Sequence, residues 1–135
     1  MSEPSTASSG TRAAITKFVA THGAASMFFF VVDGPTPSLQ MWSFAGLTPE
    51  QIDATIAEER TREVYTFFHD FEELAQEEID IVDVYPDWPD ELDAADERLV
   101  AMLRDALANS HVDVRAYFQH IDSGELLDVR ANRSA

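Results

Sequence analysis

The stretch TPEQIDATIAEERTREVYTFFHDFEELAQEEIDIVDVYPDWPDELDAADE, residues 48–97, decides how the chain is read. Thr48-Pro49-Glu50-Gln51 is a helix-start signature. Thr48 accepts a backbone hydrogen bond as N-cap, Pro49 takes the first helical position where no amide donor is needed, and Gln51 reaches back to close a capping box. No Gly or Pro follows until Pro86. Wound as a helix, Ile52, Ile56, Val64, Phe67, Phe68, Phe71, Leu74 and Ala75 share one face, and Glu58, Arg62, Thr66, His69, Glu73 and Gln76 share the opposite one. A helix unbroken to Glu78 is about 45 Å long. A compact domain of this length is only about 36 Å across. The pattern therefore predicts a helix that bends, breaks or projects past the body, and a projecting helix offers an apolar surface to a second copy or a partner.

Ile79 to Tyr85 is short and β-branched, which predicts a strand. Pro86 and Pro89 then impose a corner, because proline fixes φ and restricts the residue before it. Pro89 to Asn109 is the third helix, with Leu92, Ala95, Leu99, Met102, Leu103, Ala106 and Leu107 as its apolar stripe. Its first turn carries Asp90, Glu91 and Asp93, where the helix dipole favours negative charge.

Working outward, Thr11 to His22 reads as a helix, with Ile15, Phe18 and Val19 at helical spacing and Gly23 as its stop. Ser26 to Asp33 is a strand so uniformly apolar that both faces need cover, as in a sheet interior. Asp33-Gly34-Pro35-Thr36-Pro37 turns the chain into a second strand, Ser38 to Ala45, with Leu39 and Met41 on one face and Trp42 and Phe44 on the other. Val112 to Ile121 alternates, with Val112, Val114, Ala116 and Phe118 inward and Asp113, Arg115, Tyr117 and Gln119 outward. Asp122-Ser123-Gly124 turns it back into Glu125 to Ala131, with Leu127 and Val129 inward. The expected class is α+β in the order α-ββ-α-β-α-ββ: two antiparallel hairpins plus a short strand in a mixed sheet, with three helices packed mainly on one side. Residues 1–10 read as a flexible N-terminal arm, 11–131 as a single α+β domain, and 132–135 as a loose C-terminal tail.

The 135 residues, 45% of them hydrophobic, suffice for one domain with its own core. There is no cysteine, which excludes disulfides, zinc–thiolate sites and cysteine nucleophiles. The apolar run Ala24 to Val32 lies too far in for a signal peptide, and Asp33-Gly34-Pro35 follows it in place of a cleavage site. No stretch approaches the roughly 18 apolar residues of a membrane span. The expected location is cytoplasmic, or within a virion if the chain is viral.

Net charge is −16, from 25 acids against 9 bases, and Lys17 is the single lysine. The acids are not spread evenly. Residues 1–48 are neutral, residues 49–109 carry 19 acids and four bases, and residues 110–135 carry four acids and three bases. Salt adaptation of a halophilic host would tend to spread acids over every exposed face. Their concentration points instead to one acidic side. Such a balance argues against direct binding to nucleic acid or to an anionic membrane, both of which require positive charge.

Motifs for chemistry are absent. The histidines His22, His69, His111 and His120 form no H-x-H or H-E-x-x-H spacing. His69 and Glu73, four apart on the expected helix, make half a metal site and are more simply a solvated pair. Asp87, Asp90, Asp93 and Asp96, with Glu91 and Glu97, form an acidic ridge without the glycine and alternate acids of a calcium loop. Dipole complementarity and solvation account for the ridge, and no metal or cofactor is expected. Arg60 and Glu63 fall on the otherwise apolar stripe and read as an ion pair at its edge, or as a buried pair fixing a subunit contact. No G-x-S-x-G elbow or phosphate-cradling glycine loop is present.

The functional expectation is a non-catalytic acidic interaction protein whose helical face over residues 49–97 meets a basic partner surface. Glu58, Arg62, His69, Glu73, Asp87, Trp88, Asp90, Glu91, Asp93, Asp96 and Glu97 are its candidate interaction residues. A DNA-mimicking inhibitor is a special case. The alternative is a structural subunit of a homo-oligomeric or viral assembly whose acidity reflects host salt. A small-ligand binder or enzyme, using a pocket near His120 or Tyr117, is the weaker third reading.

Overall fold

A computed structural model describes residues 4–23, 25–33, 36–59, 72–88, 90, 92–110, 114–120, 126–130 and 133–134. Along the chain these form α1 (Pro4–Thr21), β1 (Met27–Asp33), β2 (Ser38–Ala45), α2 (Pro49–Glu59), β3 (Glu72–Asp80), α3 (Leu92–Asn109), β4 (Arg115–His120), β5 (Leu126–Asp128) and β6 (Arg133–Ser134). The α-ββ-α-β-α-ββ order holds, with β6 added inside the segment 132–135 that reads as a loose tail. The class is α+β.

The sheet order is β3-β2-β1-β4-β5-β6. Strand β1 lies inside it, antiparallel to β2 and parallel to β4, so its six consecutive apolar residues from Met27 to Val32 face two cores. Phe28, Phe30 and Val32 join Leu39, Met41, Ala116 and Phe118 beneath α1 and α3. Met27, Phe29 and Val31 join Phe44, Tyr117 and Leu126 beneath α2, through Ile52 and Ile56. The expectation of helices mainly on one side holds, with α1 and α3 on one face, and α2 covers the other face. The same cover corrects the reading of Tyr117 and Gln119 as outward, since each is only 2% exposed. Alternation in β4 separates two buried faces rather than core from solvent.

Helix α1 begins at Pro4, well ahead of the expected Thr11, and proline is tolerated in a first turn. Its buried positions Thr11, Ile15, Phe18 and Val19 follow helical spacing. Helix α3 buries the stripe read from its sequence, from Ala95 to Leu107, with Leu92 half-buried at its start.

The connection into α2 is built locally. Gly46 sits at φ 76°, a left-handed conformation that glycine adopts without strain. The Thr48 amide donates to Gln51 Oε1 at 2.8 Å, and the Gln51 amide donates to Thr48 Oγ1 at 3.2 Å, which completes the expected capping box. Leu47 and Ile52, on either side of the cap, pack into the same core, as in a hydrophobic staple.

The long helix to Glu78 is overturned. Helix α2 covers Pro49–Glu59 and residues 72–80 form strand β3, so no helix runs unbroken to Glu78. β3 pairs antiparallel with β2 from Ala45↔Glu72 to Ser38↔Asp80, with a bulge opposite Ser43 and Phe44 that leaves Leu74 as the extra residue. The expected strand Ile79–Tyr85 is also corrected. Pairing ends at Asp80, whose carboxylate accepts the Val82 amide at 2.9 Å, and the Val84 and Tyr85 amides both turn back to the Ile81 carbonyl.

Candidate interaction surface

Among the described strands β3 lies at the sheet edge, and it is one of the most acidic elements of the fold. Glu72, Glu73, Glu77, Glu78 and Asp80 are all exposed. Register divides the side chains between faces. Glu73, Gln76, Glu78 and Asp80 stand opposite Phe44, Trp42, Gln40 and Ser38, on the α2 side. Glu72, Ala75, Glu77 and Ile79 stand opposite Ala45, Ser43, Met41 and Leu39, on the side of α1 and α3. Ala75 and Ile79 pack against the first core, while Leu74 at the bulge is 49% exposed. Glu73 therefore belongs to a strand, and its expected helical partner His69 lies outside the described residues.

The acidic run continues through the corner into α3, where some carboxylates have structural work. The Thr11 hydroxyl donates to both Asp83 carboxylate oxygens, at 3.0 and 3.1 Å, and ties α1 to the corner. Arg98 donates to the Val84 carbonyl at 2.8 Å, and the Tyr85 hydroxyl donates to Asp96. Burial, then the hydrogen bond and charge of Asp96, push the Tyr85 phenol far above its ordinary range. Trp88 is half-buried, meets the Tyr85 ring edge-on at 5.7 Å and packs against the first core, so it anchors the corner. Asp87, Asp90, Asp93 and Glu97 remain exposed. Glu58 lies in the last turn of α2. Arg62, His69 and Glu91, like Arg60, Glu63 and His111, lie outside the described residues.

Among the described residues, three other arginines bind away from this run. Arg12 pairs with Asp105 at 3.3 Å, Arg115 pairs with Asp53, and Arg104 donates to the Val129 carbonyl at 3.3 Å. Arg115 also donates to the Tyr117 hydroxyl at 3.3 Å. Its bond to Tyr117, and then its bond to Asp53, favour the charged guanidinium, whereas burial raises the Tyr117 phenol. Together Asp53, Arg115 and Tyr117 link α2 to β4. His120, the other residue of the ligand-site reading, is the last residue of β4. Among the described residues, no three of His, Asp and Glu are arranged to hold a metal ion, and no helix is long and apolar enough to cross a membrane.

Sequence reasoning missed three of these features. Tyr85–Asp96 and Thr11–Asp83 join residues without a shared periodicity, so no local signal marks them. Ser43, fully buried with an unpartnered Oγ, sits opposite Phe28 and Ala75, a burial that its residue type does not signal. Comparison of the chain with protein-family models, curated proteins and solved structures returned no match.

Proposed function

We propose that the protein is a non-catalytic interaction module whose acidic side meets a basic surface on a protein partner. That side comprises the β3 edge, the corner and the start of α3. One observation carries the reading: residues 72–97 hold twelve acids and no Lys, Arg or His, and most of those carboxylates are exposed. Carboxylates along a continuous surface build a negative local potential, speed encounter with a positive partner and reject negative ones. The same field disfavours nucleic acid as a direct ligand.

The test compares Glu73→Gln/Glu78→Gln with a control of equal charge change elsewhere, Glu50→Gln/Asp105→Asn. Host proteins are captured on each immobilised variant at low salt and eluted with a salt gradient. The expected result is a basic protein retained by wild type and by the control, released by moderate salt, and weakened by the β3 double variant. Retention that is equal on all three, or indifferent to salt, refutes the proposal.

A further inference from the structure

The outer edge of β3 carries a feature that side-chain charge alone does not supply. β2 pairs with one side of the strand over Glu72–Asp80. Among the described residues no strand pairs with its other side, since β3 ends the sheet order, and seven of its nine residues are exposed, the half-buried Ala75 and Ile79 being the exceptions. Backbone N–H and C=O groups of alternate residues therefore point away from the sheet, spaced to pair with another strand. A second copy of this chain is a poor occupant, because pairing two β3 edges sets five carboxylates beside five more. A basic extended segment is a good one: each Lys or Arg placed cross-strand from Glu73, Glu78 or Asp80 gains an opposite-charge neighbour.

Building on the acidic-side reading above, we propose that β3 takes a basic, extended peptide segment of its partner as an added strand of the sheet. The register defines what the segment contains. Its residues on the α2 side face Glu73, Gln76, Glu78 and Asp80 and are basic. Its alternate residues extend the row of Glu72, Ala75, Glu77 and Ile79; those beside Ala75 and Ile79, which pack on the first core, are apolar or β-branched. Leu74, displaced by the bulge and 49% exposed, ends the regular edge and offers an apolar contact there. Main-chain hydrogen bonds supply the binding mode, and the alternating side chains supply the selectivity.

The probe is an acetylated and amidated peptide of nine residues, the length of β3, alternating lysine with valine. Two further peptides carry N-methyl groups on the lysine amides or on the valine amides, which removes one edge of donors and keeps every charge. Binding is followed by calorimetry and by amide hydrogen exchange across residues 72–80. The expected result is saturable binding, slowed exchange at alternate β3 amides, and a loss of about tenfold or more for whichever methylated peptide has its bonding edge blocked, as expected for a strand held by main-chain bonds. Glu73→Gln/Glu78→Gln weakens the unmodified peptide while leaving its circular dichroism spectrum native. Two methylated peptides that bind as tightly as the parent, with no protected β3 amide, overturn strand addition and leave the acidic-side reading standing. No binding of any peptide also overturns it, and the capture experiment above then decides the broader reading separately.

Discussion

Tyr85 offers a quantitative test of the corner. The residue is 1% exposed, its hydroxyl donates to Asp96, and burial raises its phenol well above the ordinary 10.0. In the unfolded chain the same phenol titrates near pH 10. Above that pH the unfolded chain releases a proton that the folded chain keeps. Fewer protons are bound unfolded than folded, so stability falls as pH rises, by about 1.4 kcal/mol per pH unit for one such group. Its contribution is complete below about pH 10 and is lost on the alkaline side. Tyr85→Phe removes both the bond and the titration. At pH 7 it costs about 2 kcal/mol, the loss of a charge-assisted hydrogen bond to a carboxylate that water still reaches. At pH 11 the deficit shrinks to below about 1 kcal/mol, because the wild type has lost what the variant never had. Urea unfolding followed by far-ultraviolet circular dichroism at pH 7, 9, 10 and 11 reads the convergence. Tyr117, whose phenol burial also raises, steepens the wild-type alkaline limb and remains in the variant as an internal control. A deficit that stays constant from pH 7 to 11 refutes the reasoning, since it means that Tyr85 ionises equally in both states.

Four further outcomes are expected. Phe30→Ala, at a fully buried position on the interior strand, lowers stability by about 3–5 kcal/mol in denaturant titrations. Thr48→Ala removes the acceptor for the Gln51 amide and costs about 1 kcal/mol in the same assay. Ser43→Ala is neutral or stabilising by about 1 kcal/mol, because the buried hydroxyl has no hydrogen-bond partner; destabilisation of similar size reveals a partner for Ser43 Oγ. Replacing Glu72, Glu73, Glu77 and Glu78 by Gln raises the melting temperature at low salt and flattens its salt dependence. In wild type the increase levels off by about 0.3 M, where screening is already short-ranged, and a rise that continues to molar salt indicates host salt adaptation instead.

Much of the fold was legible wherever short-range chemistry and burial pattern agree. Strand β2 runs from Ser38 to Ala45 as its alternation implied, and the apolar run of β1 announced an interior position. The Thr48–Gln51 cap needs only neighbouring atoms, so sequence alone specified its reciprocal bonds. The stripe of α3 was equally clear. The candidate surface was legible only in part. Its acidity follows from composition, but Asp96 and Trp88 proved to be tied to Tyr85, and Glu73 proved to be strand-borne.

The segment EELAQEE, residues 72–78, marks the boundary between the two kinds of information. Glu, Leu, Ala and Gln are good helix formers, and Leu74 and Ala75 extend the apolar stripe of the preceding residues, so local preference favours helix. The alternation Ala75, Ile79 and Ile81 was present but interrupted by Glu77, too weak to compete on its own. What decides the outcome is the open side of β2: pairing there satisfies backbone groups over eight residue pairs and sets Ala75 and Ile79 against the first core. The sequence by itself determined a capped helix start, an interior apolar strand, a striped third helix and a concentrated negative charge, because each depends on neighbours or on amounts. Only the tertiary structure decided that the charge lies along a sheet edge and that α2 crosses to the opposite face, because strand pairing and cover of a second apolar face join residues that are distant in the chain.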